Sequence, residues 1–170
     1  MKTVSVTGHR PHKLPCGYSM NNPQWYNLIN NFKKLLIEQK AQVAISGMAI
    51  GVDTAFAIAV LQLQQEGHQI KLICALPCYN QDKLWRPESK KLYRDIVNNV
   101  KNLDIDVVYV TKGEYNYACM QKRNEYLVDR CDTLIAVYDG STSGTQNCIR
   151  YAKAQSKDII ILSPAEACGN

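Results

Sequence analysis

One α/β domain of Rossmann-like type, a mostly parallel sheet flanked by helices on both faces, follows from three features of the sequence. Short apolar runs rich in Val, Ile and Leu alternate with longer amphipathic stretches along the 170 residues. Most of the runs are continuous and rich in β-branched residues, as strands covered on both sides require. Gly, Ser, Thr and Pro concentrate where the runs end. No internal repeat, low-complexity tract or Gly/Ser-rich linker interrupts the pattern, so residues 1–170 read as one domain.

The first strand is expected at Thr3–Thr7. Pro23 opens a helix to Gln39, with Leu28, Ile29, Phe32, Leu35 and Leu36 at helical spacing. Val43–Ile45 is a short second strand. Val52–Glu66 is a helix with Ala55, Phe56, Ala59, Val60 and Leu63 on one face, stopped by Gly67. The third strand, Ile70–Leu76, ends at Pro77. A helix over Pro87–Asn99 turns Leu92, Ile96, Val97 and Val100 inward. Val107–Thr111 is the fourth strand, Tyr117–Arg130 a helix and Thr133–Tyr138 the fifth strand. Thr145–Gln155 is helical, and Ile159–Leu162 closes the sheet.

Composition narrows the classes of function. Lys and Arg number 20 against 15 Asp and Glu, a net charge of +5. That surplus suits an anionic ligand but lacks the dense basic run of a nucleic-acid binder, so nucleic acid is not an expected partner. The seven cysteines are an odd number and follow no secretory pattern, which fits reduced thiols. Cys74 and Cys78 have no second close Cys or His pair to complete a zinc set, so no metal is expected. The N-terminus MKTVSVTGHR turns polar too early for a signal peptide, and no apolar run approaches the roughly 20 residues that span a bilayer. A cytoplasmic protein without membrane contact is the expectation.

In open parallel sheets ligands bind beyond the carboxyl ends of the strands. Three of the loops there have phosphate-binding chemistry. The second-strand exit reads Ser46-Gly47-Met48-Ala49-Ile50-Gly51-Val52-Asp53 and leads into a helix. Gly47 and Gly51 permit tight turns or close ligand approach, and amides at the helix start are unfilled donors. The bland alternative is a tight turn with Asp53 as a helix-start carboxylate. The fifth-strand exit, Asp139-Gly140-Ser141-Thr142-Ser143-Gly144-Thr145, also precedes a helix. Its hydroxyls and amides can surround a phosphate, or it is a solvated turn capped by Ser143 or Thr145. Thr7-Gly8-His9-Arg10-Pro11 adds Arg10 as a phosphate fork and His9 as a group that titrates near neutral pH. For a base, Tyr79-Asn80-Gln81, Trp85 and Tyr115-Asn116-Tyr117 offer flat faces and edge-reading amides, although such aromatics equally anchor loops to a core. On the helix before the fifth strand, Arg123 is either a cation facing the fifth-strand exit or an exposed i,i+4 partner, and Asn124 either orients a ribose or water or caps a local turn.

Thr7-Gly8-His9-Arg10-Pro11, Ser46 to Asp53, and the stretch Arg123-Asn124, Val128-Asp129, Asp132, Asp139-Gly140 and Gly144-Thr145 together resemble YpsA-like proteins of the SLOG superfamily, which takes its name from the Smf/DprA and LOG proteins. The resemblance runs from Thr7 to about Lys153 and rests on the order and spacing of motifs that are individually soft. It implies a Rossmann-like domain that binds a nucleotide or nucleotide-derived ligand such as ADP-ribose, an NAD derivative or a cyclic nucleotide, with no further cofactor. Some SLOG domains sense such signals in defence against phage. The resemblance also implies a homo-oligomer, and it allows a protein partner. LOG relatives hydrolyse the N-glycosidic bond of modified adenosine monophosphates, with an Arg on the helix before the fifth strand and then a Pro-Gly-Gly-x-Gly-Thr-x-x-Glu loop. Arg123, Gly144 and Thr145 match, but Asn147 or Cys148 stands where the Glu falls. The expected role is therefore sensing or sequestering a nucleotide. An N-glycosidase and a cell-division or DNA-associated module are the alternatives.

Overall fold

The computed structural model describes residues 1–169. Its elements, in order, are β1 (Thr3–Gly8), a 3-10 turn (Pro11–Lys13), α1 (Pro23–Glu38), β2 (Val43–Ser46), α2 (Val52–Gln65), β3 (Lys71–Leu76), α3 (Pro87–Val97), β4 (Ile105–Tyr109), α4 (Cys119–Asp129), β5 (Thr133–Val137), α5 (Gly144–Ala154), β6 (Asp158–Leu162) and α6 (Pro164–Cys168). The six strands form one sheet in the order β4-β3-β2-β1-β5-β6. Every pairing is parallel.

Side chains alternate across β1 and so divide the core in two. Val4 and Val6 face one side and join Leu28, Phe32, Phe56, Val60 and Ile96 from α1, α2 and α3. The opposite face is covered by α4 and α5 through Leu127, Val128, Cys148 and Ala152. Ser5, buried on that second face, donates its hydroxyl to the Leu127 carbonyl at 2.8 Å. All five residues of β5 are buried, as expected of a strand with neighbours and helices on every side. Edge strand β4 is only partly covered, and its Asp106 carboxylate takes Lys71 Nζ at 3.1 Å, a charged edge that discourages further pairing.

Local chemistry sets the helix ends. Asn22 Oδ1 accepts the Gln24 amide at 3.0 Å, and Pro23 fills the first position of α1. Ser163 and Glu166 form a reciprocal capping box on α6. Asn27 and Asn31 of α1 donate to the Cys168, Ala167 and Gly169 carbonyls and so cap its other end.

The expected architecture stands, and some boundaries differ. The fourth strand lies two residues earlier than Val107–Thr111, because Ile105 pairs with Leu72 and Asp106 with Ile73. The helix expected from Tyr117 begins at Cys119, since the Asn116 side chain accepts the Ala118 and Cys119 amides and caps the start. Val100, expected inward, is 68% exposed beyond the end of α3, and Tyr93 occupies the buried face instead. The 3-10 turn and α6 were not anticipated; each is short and opens with Pro. Among the described residues no helix is long and apolar enough to cross a membrane. All seven cysteines are free and buried.

Candidate functional site

Strand order reverses between β1 and its neighbours β2 and β5. Chains leaving β1 and β5 diverge there, and the gap left between them is a cleft of about 350 Å³. Its walls include Thr7, Gly8, His9 and Arg10 from the β1 exit, Asp53 of α2, Arg123 and Asn124 of α4, and Ser143, Gly144 and Thr145 at the start of α5. These residues, scattered through the sequence, are thereby brought together. His12, Lys13, Ala49, Met120 and Leu127 also line it. His12 and Lys13 escaped the sequence reading because the 3-10 turn that carries them round was not foreseen; Pro11 was its local sign.

Arg123 is the central group of the cleft. It is 5% exposed, and its Nη1 donates to the Gly47 carbonyl. Nε has no partner. A guanidinium carries five N–H donors, so one protein bond leaves it under-satisfied. Burial pushes its pKa down, and the nearby Asp53 charge opposes that shift. Asp53 is equally buried; its Oδ2 accepts the Ala49 amide at 3.2 Å. Burial raises its pKa, against the pull of Arg123 and of the Ala49 hydrogen bond. Three Lys or Arg side chains (Arg10, Lys13, Arg123) face the cleft against the single carboxylate of Asp53. The cleft is therefore a buried, positively biased recess.

The start of α5 forms the facing wall. Ser143 Oγ accepts the Gln146 amide at 3.3 Å, so this hydroxyl serves as the cap. Nothing lies within 4 Å of the position a Cβ on Gly144 would take, so that backbone opens directly to the cleft. Asn124 Nδ2 donates to the Gly144 carbonyl at 3.4 Å and fixes α4 against this turn. Thr145 is nearly buried beneath it.

The second expected phosphate loop does not open into the cleft. Ser46 Oγ donates to the Asp53 carbonyl at 2.7 Å and accepts the Met48 amide at 3.1 Å. Met48 is fully buried with φ 57°, held in that uncommon conformation by the same turn. Gly51 has φ 108°, and a Cβ there would sit 2.7 Å from the His9 carbonyl. A Cβ on Gly47 would sit 2.6 Å from Arg123 Cζ. Ser46, Gly47, Met48 and Gly51 thus seat α2 and Arg123 against the β1 exit. The closely approaching group is protein, not ligand, and only Asp53 of this loop reaches the cleft wall together with Ala49.

At the fifth-strand exit Asp139, Gly140 and Ser141 form the outer rim rather than the cleft wall. Hydrogen bonds from the Ser141 hydroxyl and amide hold the Asp139 carboxyl down at about 2. Lys13 Nζ donates to Ser141 Oγ at 2.8 Å, which ties the two exits across the rim. His9 Nε2 lies 2.9 Å from Asp139 Oδ1 and 3.0 Å from the Asp139 amide nitrogen. Protonated, it donates to the carboxylate; neutral, it accepts from the amide. Burial lowers the imidazole pKa, opposed by Asp139. In both states this nitrogen is committed to tethering β1 to β5. Tyr79 is not part of the cleft: it is exposed and packs edge-on against Tyr109 with ring centroids 5.0 Å apart.

With this geometry in view, comparison with known proteins gives a consistent picture. The model of the YspA SLOG family (YpsA) matches residues 4–161. The SPbeta prophage-derived protein YoqJ of Bacillus subtilis is 39% identical over 145 residues, covering 79% of this chain and 85% of that protein. A UPF0398 protein of Halalkalibacterium halodurans is 28% identical over 174 residues, covering 96% and 89%. Among solved structures, DNA processing protein A (DprA) from Streptococcus pneumoniae aligns with a TM-score of 0.64 at 19% identity over 98% of this chain. The Helicobacter pylori DprA aligns at 0.63 and 18% over 94%. The chain spans 54% and 64% of those two DprA chains, and at such identity the likeness is one of fold. The H. pylori protein is described as binding single-stranded DNA.

Proposed function

The chain belongs to the YpsA SLOG family, and from that premise we propose that it binds a nucleotide-derived anion, an ADP-ribose or related NAD-derived or cyclic nucleotide, in the cleft between β1 and β5. It senses or sequesters that molecule. The observation that carries the reading is Arg123: a buried guanidinium with one protein hydrogen bond and an unpartnered Nε, on the wall facing the open start of α5. A buried charge left short of partners is costly unless something completes its shell. A phosphate does so, and helix-start amides with a partial positive charge offer it a second set of donors. Arg10 and Lys13 add charge at the mouth.

The test is isothermal titration with ADP-ribose, AMP and pyrophosphate. The wild-type protein binds at least one of them. In Gly144→Asp, a carboxylate placed in the open space beside Gly144 repels the phosphate, abolishing binding with little change in melting temperature. Unchanged affinity in that variant refutes the site. Chromatography of the AMP mixture checks the hydrolase alternative, for which Asp53 is the carboxylate on the cleft wall; binding without release of free base is the expected result.

A second reading, single-stranded DNA binding, is favoured by exposed aromatic side chains. Tyr79, Tyr109, Tyr115 and Tyr117 are all exposed around the β3 and β4 exits, and such rings stack on bases. An oligonucleotide titration at two salt concentrations separates the readings, because strand binding weakens steeply with salt.

A further inference from the structure

Beside the cleft lies a second cavity of about 440 Å³ at the β3 and β4 exits. Arg10 lines both spaces and is the wall between them. The second cavity contains the features the first lacks. Trp85 is held edge-on against the buried Tyr93 ring, with centroids 5.1 Å apart, so its indole is fixed in place. Tyr115 stands on the other loop, and that loop is fastened to the β3 exit where Asn80 Oδ1 accepts the Tyr115 amide at 2.7 Å. Gln81 lines the same cavity. Its Nε2 donates to the Gly47 carbonyl at 3.3 Å and reaches the Tyr93 hydroxyl at 3.4 Å, which fixes the orientation of the amide. Its Oε1 is buried and has no partner.

A pinned aromatic face, a second aromatic and an unfilled acceptor are what a planar ring bearing an N–H donor requires. The shared arginine is what a phosphate attached to such a ring requires. We infer that the second cavity is the base compartment of a two-part site: it takes a nitrogenous ring with an exocyclic amine or ring N–H, while the phosphates of the same molecule lie in the β1–β5 cleft and Arg10 spans the junction. The inference rests on the nucleotide reading of that cleft and adds where the base goes and which atom reads it. Gln81 also links the two compartments, since the Gly47 carbonyl it contacts is the one that accepts Arg123 Nη1.

The experiment compares two probes on the same proteins: ADP-ribose, which has both parts, and ribose 5-phosphate, which has only the phosphate end. Wild-type protein binds ADP-ribose more tightly than ribose 5-phosphate. Gln81→Met keeps the bulk but removes the acceptor, and with it the Nε2 hydrogen bond to the Gly47 carbonyl, which Arg123 Nη1 still holds; it weakens ADP-ribose about tenfold and ribose 5-phosphate by much less. Trp85→Leu gives the same selective loss and serves as the independent variant should Gln81→Met melt early. Equal losses for both probes, or none for either, overturn the base compartment while leaving the phosphate cleft standing. Wild-type protein that binds neither probe overturns the base compartment, and if it binds neither AMP nor pyrophosphate the phosphate cleft falls with it.

Discussion

Replacing Arg123 with methionine asks whether this residue holds the fold or waits for a ligand. The wild-type side chain gives the folded state one hydrogen bond from a charged donor, to the Gly47 carbonyl, and such bonds contribute about 1.5–3 kcal/mol. Against this stands desolvation of the guanidinium, which costs several kcal/mol and is only partly offset by Asp53. Methionine restores most of the volume without the charge. The Gly47 carbonyl is not orphaned, because Gln81 Nε2 still donates to it at 3.3 Å. Asp53 loses the cation that opposes its raised pKa and takes up a proton, so the net loss of stability is about 1–2 kcal/mol, or about 2–8 °C in melting temperature for a domain of this size. Ligand binding loses charge-assisted bonds and falls by about 2–3 kcal/mol, roughly 30- to 150-fold. Thermal melts followed by circular dichroism and titration with ADP-ribose read the two effects separately. A melting temperature lowered by more than about 10 °C with affinity retained refutes the reasoning and makes Arg123 a structural support.

Two further perturbations follow from the packing and titration around the cleft. In Gly8→Ala the new Cβ lies 2.5–2.6 Å from three atoms of the buried Val52 side chain. Overpacking of a stiff β-branched residue destabilises by about 1–3 kcal/mol, and the melting temperature falls by about 2–12 °C. His9 has a folded pKa below its ordinary 6.5, so the unfolded chain binds its proton more readily. Its contribution is complete above about pH 6.5 and is lost as pH falls through the lower folded value. Melts from about pH 7.5 to 5 show this loss, and His9→Asn flattens it. An identical pH slope in the variant removes His9 as the cause.

The fold was legible because it depends on coarse features. Each strand of a doubly covered parallel sheet needs a short run rich in β-branched residues such as Thr133–Val137, whereas the longer apolar run at 55–61 is rich in Ala and belongs to a helix. Arg123 and the Gly144–Thr145 turn were legible through the resemblance, which puts an Arg on the helix before the fifth strand and a Gly-Thr at the next helix start; taken alone, Arg123 reads equally as an exposed ion-pair partner on its helix. The roles of Ser46, Gly47, Met48 and Gly51 were not. A glycine next to a ligand and a glycine next to another part of the chain look identical in sequence, and only the positions of the His9 carbonyl and of Arg123 decide between them. His9 illustrates the same limit: its partner lies 130 residues away, and no spacing rule foretells that the nitrogen is taken by Asp139. The displacement of β4 by two residues has a similar origin. Asp106 weakens the apolar pattern, but strand pairing with β3 and the Lys71 ion pair retain it in the sheet.

The cleft's composition bears on how binding would be felt by the molecule as a whole. Its walls come from residues 7–10, 12, 13, 49, 53, 120, 123, 124, 127 and 143–145, which meet only when the chain's first and fifth strands lie side by side. No excised fragment reproduces the recess, so a metabolite lodged there clasps both halves of the protein at once. Its occupancy should be read far from the recess, as slower proteolysis and slower amide exchange along the whole sheet.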